Sequence, residues 1–73
     1  MPQGYIARLV TDRGFGFIKG YAPEEDGTTP EWFFHRSECD ALSPFDRMRV
    51  KDRVKFDEQY HDKGMRAVNV RLG

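Results

Sequence analysis

Polar and apolar residues alternate with a period of two along much of this 73-residue chain, and this alternation limits how it can fold. Residues 53–57 alternate strictly, and residues 66–72 place Val68, Val70 and Leu72 on one face. Such alternation is typical of a strand with one buried face. Three earlier segments are also candidate strands: residues 4–10, 14–20 and 31–36. The sequence therefore predicts an all-β fold of five short strands.

Turn-forming residues separate the candidate strands. Residues 61–64 predict a hairpin turn in which Gly64 is free to adopt a positive φ. Residues 21–30 hold two prolines and three consecutive acids, which predicts an exposed loop. All four prolines of the chain lie outside the candidate strands, as the hydrogen bonding of a sheet requires. Residues 37–51 show no clean period and are interpreted as a long connection, with a short helical turn capped by Ser37 as the alternative.

Five short strands with one long connection after the third predict a small antiparallel barrel, closed or nearly closed. Closure removes the unpaired edge strands that so short a chain could not otherwise cover. An SH3-like barrel fits the number of strands equally well. We expect a single domain over residues 1–73, because typical domains run to roughly 100–200 residues.

Aromatic residues make up 14% of the chain, and the period of two places them on opposite strand faces. Along residues 14–18, Phe15 and Phe17 share one face, while Ile18 and two glycines share the other. Residues 32–35 alternate in the same way, with Phe33 and His35 on one face and Trp32 and Phe34 on the other.

Either face could be the inner one. If Phe15 and Phe17 point inward, Ile18 points outward and two glycines face solvent. If Ile18 points inward, the glycines let neighbouring strands approach closely in the barrel interior. We favour the second assignment, because it leaves an ample apolar core: Ile6, Leu9, Ile18, Trp32, Phe34, Val54, Phe56, Val68 and Val70.

The favoured assignment also leaves aromatic rings together on an outer face, if the two strands are neighbours. These side chains are Phe15, Phe17, Phe33 and His35. A row of exposed aromatic side chains indicates a binding surface. Every nucleobase has a flat π-face, and stacking on an aromatic ring supplies about 1–3 kcal/mol per base. The pattern therefore favours a surface that binds single-stranded nucleic acid.

Three blocks of the chain resemble the cold-shock domain family. Residues 13–18, Arg-Gly-Phe-Gly-Phe-Ile, resemble the family's first ribonucleoprotein motif, and residues 32–37, Trp-Phe-Phe-His-Arg-Ser, resemble its second. Residues 63–70 resemble its closing hairpin, and Gly4 stands nine residues before Arg13, as the family's opening glycine does. The resemblance spans nearly the whole chain. It implies a five-stranded antiparallel OB-fold barrel that binds single-stranded RNA or DNA and acts as an RNA chaperone or gene-expression regulator.

The resemblance also implies which side chains bind the nucleic acid. The family's stacking positions are matched by Phe15, Phe17, Phe33 and His35, and an aromatic residue of its long loop is matched by Phe45. Arg13 and Lys63 match basic positions near the backbone of the bound strand.

Two of the family's aromatic platforms are arginines in this chain. Arg8 replaces a tryptophan of the first strand, and Arg36 replaces the aromatic residue after the histidine. A guanidinium plane can stack on a base and can also pair with phosphate. We expect Arg8 and Arg36, together with Arg66, to guide the bound strand.

The charge of the chain refines this expectation. Twelve basic and twelve acidic residues give a formal net charge of zero, so binding should depend on aromatic stacking and be weaker than in a strongly basic protein. The basic residues Arg47, Arg49, Lys51, Arg53 and Lys55 alternate strictly. We interpret them as a solvated loop entering a strand; the alternative is one extended strand that contacts phosphates.

Other chemistry finds little support in the sequence. Cys39 is the single cysteine, and a site made of His35 and Cys39 lacks the four ligands of a stable metal centre. No nucleophile elbow or pair of catalytic carboxylates is recognisable, so we expect no enzyme, no cofactor and no metal.

The expected setting and partners follow from the same residues. No apolar run approaches the roughly 20 residues of a membrane span, and no secretory signal is visible, so we expect a cytoplasmic location and no membrane partner. We expect a monomer. A homodimer through the exposed face, or a protein-binding module that uses the same face, is the alternative.

Overall fold

Each predicted strand is present in the computed structural model, which describes residues 2–21, 23, 25–62 and 64–73. The strands are β1 (Gln3–Val10), β2 (Phe15–Gly20), β3 (Glu31–His35), β4 (Arg53–His61) and β5 (Gly64–Leu72). Two short 3-10 turns, Arg36–Glu38 and Phe45–Arg47, lie between β3 and β4. The fourth strand runs four residues past its predicted end at residue 57, because the β4–β5 hairpin stays paired as far as His61 and Gly64.

The strands close into an all-β OB-fold barrel in the order β1-β2-β3-β5-β4. Neighbouring strands are antiparallel except for β3 and β5, which run parallel where Phe33 pairs with Arg66. The sheet is therefore mixed, and the prediction of a purely antiparallel barrel is wrong at this pairing. The reason is parity: a closed ring with an odd number of strands cannot alternate direction all the way round.

The interior confirms the favoured assignment of faces along β2 and β3. Ile18 and Phe34 are 0% exposed and Trp32 is 5% exposed, so all three point into the barrel. A Cβ atom on Gly16 would lie 2.8 Å from the carbonyl oxygen of Arg8 and 2.8 Å from the ring of Phe34. The glycine is needed because backbone and ring approach it so closely. The buried core comprises Ile6, Ile18, Trp32, Phe34, Phe45, Met48, Val54, Phe56, Ala67 and Val70.

A β-bulge corrects the prediction for β5. Val68, Val70 and Leu72 were expected on one inner face, but Ala67 and Val70 are the fully buried residues, Val68 is half-buried and Leu72 is exposed. The pairing with β4 shifts register between Lys55 and Asp57, and Asn69 adopts a positive φ of 53°. An extra residue in one strand moves the side chains beyond it to the opposite face, which is what a bulge does.

A second register shift lies in β1, between Ile6 and Arg8. It has the same effect, because Ile6 is buried, Leu9 is packed against the core three positions later, and Arg8 points outward beside Phe17. The bulge thus reconciles the core positions expected at Ile6 and Leu9 with an outward arginine between them.

The stretch 37–51 is a long connection, as predicted, with one 3-10 turn at its start and the other in its second half. The first turn is capped by His35 rather than Ser37, and the second buries Phe45 and brings Met48 into the core. The alternating basic residues do not form one strand, because Arg47 lies in the second turn and β4 begins only at Arg53. Gly64 has the expected positive φ, 129°. No helix in the described part of the chain has the length and apolar character needed to cross a membrane.

Candidate nucleic-acid interface

The outer surface of β2 and β3 brings four predicted aromatic side chains together. Phe15 pairs with His35 and Phe17 pairs with Phe33 across the two strands, with no shift of register. Directly paired residues point to the same side of a sheet. The four side chains therefore form one patch, the aromatic face, and each of them is half-buried and retains accessible surface.

The phenylalanines of the aromatic face hold one another in place. The ring of Phe33 lies 5.4 Å from that of Phe15 and 5.9 Å from that of Phe17, measured between centroids. Phe15 and Phe17 meet edge to face at 5.9 Å. Such tilted contacts are favourable and restrict ring motion. A ligand that stacks here would meet rings that are already ordered, which lowers the entropic cost of binding.

His35 is oriented by the turn that follows it. Its Nδ1 accepts a hydrogen bond from the backbone N–H of Ser37 at 3.2 Å and lies 3.0 Å from the Ser37 hydroxyl oxygen. A ring nitrogen that accepts from a backbone N–H carries no hydrogen, so the neutral ring has its hydrogen on Nε2. Nε2 can then donate to a base or a phosphate.

Two arginines flank the pair of Phe17 and Phe33. Arg8 pairs with Phe17 from β1 and is exposed. Arg66 pairs with Phe33 from β5, and its guanidinium lies 4.0 Å from a carboxylate oxygen of Glu38. The Nε of Arg66 is buried without a hydrogen-bond partner. The order across the barrel is thus arginine, two phenylalanines and arginine.

Two further arginines lie at the other end of the aromatic face. Arg13 is exposed in the turn before β2, where its N–H donates to the carbonyl of Val10 at 3.2 Å. Arg36 donates its backbone N–H to the carbonyl of Gly14 at 2.8 Å, and its side-chain stem lies over that glycine. Both arginines are exposed. Arg13 lies two positions before Phe15 in the chain, and Arg36 is hydrogen-bonded to Gly14, the residue that precedes Phe15.

Two depressions adjoin the aromatic face on either side of Phe17. The first has a volume of about 440 Å³ and is lined by Phe17, Phe33, His61, Gly64, Met65 and Arg66. The second has a volume of about 330 Å³ and is lined by Ala7, Arg8, Phe17, Lys19 and Glu31. Because Phe17 borders both, a bound strand could run continuously from one to the other.

The sequence reasoning missed several residues of these depressions. Lys19 could have been found, since it follows Phe17 by two positions on the same strand face. Glu31 follows from Lys19, because the two are paired across β2 and β3. His61 and Met65 gave no comparable signal, because they lie between the predicted strands 53–57 and 66–72, whereas the structure has them in β4 and β5.

Two predicted site residues do not join the aromatic face. Phe45 is only 7% exposed, and its ring packs 6.0 Å from that of Phe34 in the core. Its flat faces are covered, so we leave it out of the candidate stacking surface. Lys63 lies outside the described residues. The described residues contain no group of three or more His, Cys, Asp or Glu side chains placed to hold a metal ion.

Comparison with known proteins gives matches over nearly the whole chain. Residues 2–72 match the family model of the "Cold-shock" DNA-binding domain. The chain is 34% identical to "Cold shock protein 2" and 33% identical to "Cold shock protein 1" of Lactiplantibacillus plantarum, over 70 residues and 96% of both chains in each case. It is 37% identical over 71 residues to "Probable cold shock protein A" of Mycolicibacterium smegmatis, covering 97% of both chains.

Proposed function

The chain belongs to the cold-shock domain family of nucleic-acid-binding proteins, and we propose that it binds single-stranded RNA or DNA by stacking bases on the aromatic face. The observation that carries the proposal is the outward pairing of Phe17 with Phe33 and of Phe15 with His35, next to a fully buried Ile18 and Phe34. Three phenylalanine rings thus lie on the surface, whereas the other three phenylalanines are buried in the core.

Stacking explains a preference for single strands. A base in a duplex already stacks on its neighbours, and its flat faces are not available to a protein ring. Each base stacked on Phe15, Phe17 or Phe33 contributes about 1–3 kcal/mol, and the contribution tolerates any base because every base has a π-face. We therefore propose modest sequence preference, with a bias towards pyrimidines as the family resemblance implies.

Local charge makes the interface suitable for a polyanion although the chain is neutral overall. Four arginines surround the aromatic face: Arg8, Arg13, Arg36 and Arg66. Guanidinium groups can pair with phosphate or stack on a base. Each phosphate neutralised on a single strand gives a slope of about −0.7 in a plot of log affinity against log salt concentration. The neutral balance of the whole chain should keep the number of such contacts small.

The cellular role that fits such binding is that of an RNA chaperone or a regulator of gene expression. Reversible stacking keeps a strand from pairing with itself and requires no catalytic step. In this proposal residues 1–73 act as one module, as a monomer, in the cytoplasm.

A titration with oligonucleotides of about six nucleotides tests the proposal, a length within the site size of one OB fold. The single strand and the duplex of the same sequence are compared at two salt concentrations. We expect binding to the single strand, much weaker binding to the duplex and a loss of affinity at higher salt. Equal or absent binding to both nucleic acids would refute the proposal, and salt-independent binding would indicate a contact of the kind made with a protein partner.

A further inference from the structure

A second aromatic cluster lies on the outer surface of the barrel, next to the aromatic face. Tyr5 on β1 pairs with Lys19 on one side and with Arg53 on the other. Lys19 follows Phe17 by two positions on β2, so the row Lys19, Tyr5 and Arg53 lies beside the row Phe17 and Arg8 at a spacing of about 7 Å. Tyr21, just beyond the end of β2, packs on this row. We refer to Tyr5, Tyr21 and Arg53 as the tyrosine cluster.

Polar contacts hold Tyr21 in an exposed position. Its hydroxyl donates to the carbonyl oxygen of Gly4 at 3.1 Å and accepts a hydrogen bond from Nε of Arg53 at 3.2 Å. Its ring centroid lies 5.8 Å from that of Tyr5 and 5.6 Å from the guanidinium carbon of Arg53. Tyr21 nevertheless stays 55% exposed. The ring is thus ordered without being buried, which a stacking platform requires and a core residue does not.

The charges around the tyrosine cluster suit a polyanion. No carboxylate among the described residues lies within ion-pair distance of Arg8, Lys19 or Arg53. Arg53 uses its Nε for Tyr21, and its two terminal nitrogens remain available for phosphate. Glu31 pairs with Lys19 on the side opposite Tyr5. A phosphate backbone leaving Phe17 is therefore repelled from the Glu31 side and attracted towards Arg53.

We propose that the tyrosine cluster is an additional subsite for single-stranded nucleic acid, which takes the next base and phosphate after the one stacked on Phe17. The inference rests on the proposed function and extends the path of the bound strand beyond Phe17. Lys19 links the two clusters, because it lines the depression of about 330 Å³ together with Ala7, Arg8, Phe17 and Glu31 and is paired with Tyr5 across β1 and β2. Tyr21 supplies a ring for the base and Arg53 a cation for the phosphate.

The length of the bound oligonucleotide tests this subsite. Affinities are measured for oligothymidylates of about four to ten nucleotides, the lower range of OB-fold site sizes. The double variant Tyr21→Ala with Arg53→Ala should bind the longest oligonucleotides about tenfold more weakly than the unmodified protein, the value of one modest stack. It should bind the shortest ones, which cannot span both clusters, with unchanged affinity.

Tyr60→Ala is the matched control, because Tyr60 is also an exposed tyrosine, at 80%, but lies on the β4–β5 hairpin away from the second depression. It should leave the gain of affinity with length unchanged. Arg53→Gln provides a second measurement if the double variant fails to fold, and should reduce the salt slope for long oligonucleotides by about 0.7.

Equal loss by the double variant at every length, or no loss at any length, would overturn the subsite while leaving the aromatic face intact. An unmodified protein that binds no oligothymidylate at all would instead refute the proposed function.

Discussion

The six phenylalanines of this chain fall into two equal groups with different roles. Phe15, Phe17 and Phe33 are half-buried on the outer surface, where their rings touch one another. The other three are in the core: Phe34 and Phe56 are 0% exposed and Phe45 is 7% exposed. Phe33 and Phe34 are even consecutive in the chain. On the strands, burial is thus decided by the phase of each residue and by the glycines that let the strands approach, and not by hydrophobicity; Phe45 is buried from a 3-10 turn instead.

The difference between the outer and inner phenylalanines shows how a small domain with no net charge can keep apolar rings on its surface. The outer rings lose part of their burial but gain support from one another and from flanking arginines, and they are positioned for a ligand. The inner rings fill the barrel and provide its stability. Substitutions in each group should therefore change different measurements.

Phe34→Ala should cause the largest effect. Removing a fully buried phenylalanine costs about 3–5 kcal/mol of unfolding free energy, a large part of the stability of a domain. Phe33→Ala, one residue earlier, should cost clearly less unfolding free energy, because the ring lies on the outer surface and retains accessible area. Denaturant unfolding measures both values. Similar losses in the two variants would mean that the outer rings are core residues as well.

Phe33→Ala should instead weaken binding. Loss of one stacking platform should reduce the affinity for single strands by about 1–3 kcal/mol, and Phe15→Ala should behave similarly. The melting temperature of each variant serves as the control. Unchanged affinity with a clear fall in melting temperature would remove these rings from the interface.

Gly16→Ala tests the close approach at Gly16, which lies between the outward Phe15 and Phe17 and against the inward ring of Phe34. The new methyl group would press on the Arg8 carbonyl and the Phe34 ring, both 2.8 Å away, and should cost about 1–3 kcal/mol of stability. Gly73→Ala is the matched control, since the nearest atom to its Cβ is 3.5 Å away. Thermal unfolding of the two variants compares them; an equally stable Gly16→Ala would show that the strands have room to separate.

The last prediction concerns the burial of the Cys39 thiol, which packs against the core. Burial, and to a lesser extent the Glu38 carboxylate, raises the pKa of the Cys39 thiol from 9.0 to about 11. The folded protein then holds this proton more tightly than the unfolded chain does, so the associated stability is present below pH 9.0 and is lost as the pH rises towards about 11. Stability measured across this range should fall more steeply in the unmodified protein than in Cys39→Ala. Parallel curves would mean that the thiol is hydrated.

The sequence predicted the inner and outer faces of β2 and β3 well because their register has no shift and the period of two holds throughout. It failed for Val68 because a bulge at Asn69 changes the phase, and alternation alone cannot reveal an inserted residue. Asn69 carried a weak hint, as asparagine tolerates positive φ better than most residues. The burial of Phe45 could not be predicted because its segment has no period, so nothing local distinguishes an inward ring from an outward one. The odd number of strands requires at least one parallel pair in a closed barrel, but it does not show that β3 and β5 form that pair.

The six rings also allow the most direct test of the central claim, that the outer group binds single strands and the inner group does not. Protein with ¹³C-labelled phenylalanine rings is titrated with an oligothymidylate of about six nucleotides, a length within the site size of one OB fold, and the ring resonances are followed by NMR. We predict large shifts for Phe15, Phe17 and Phe33 and small ones for Phe34, Phe45 and Phe56. Binding that leaves the first three resonances in place, or that shifts all six alike, would contradict the account.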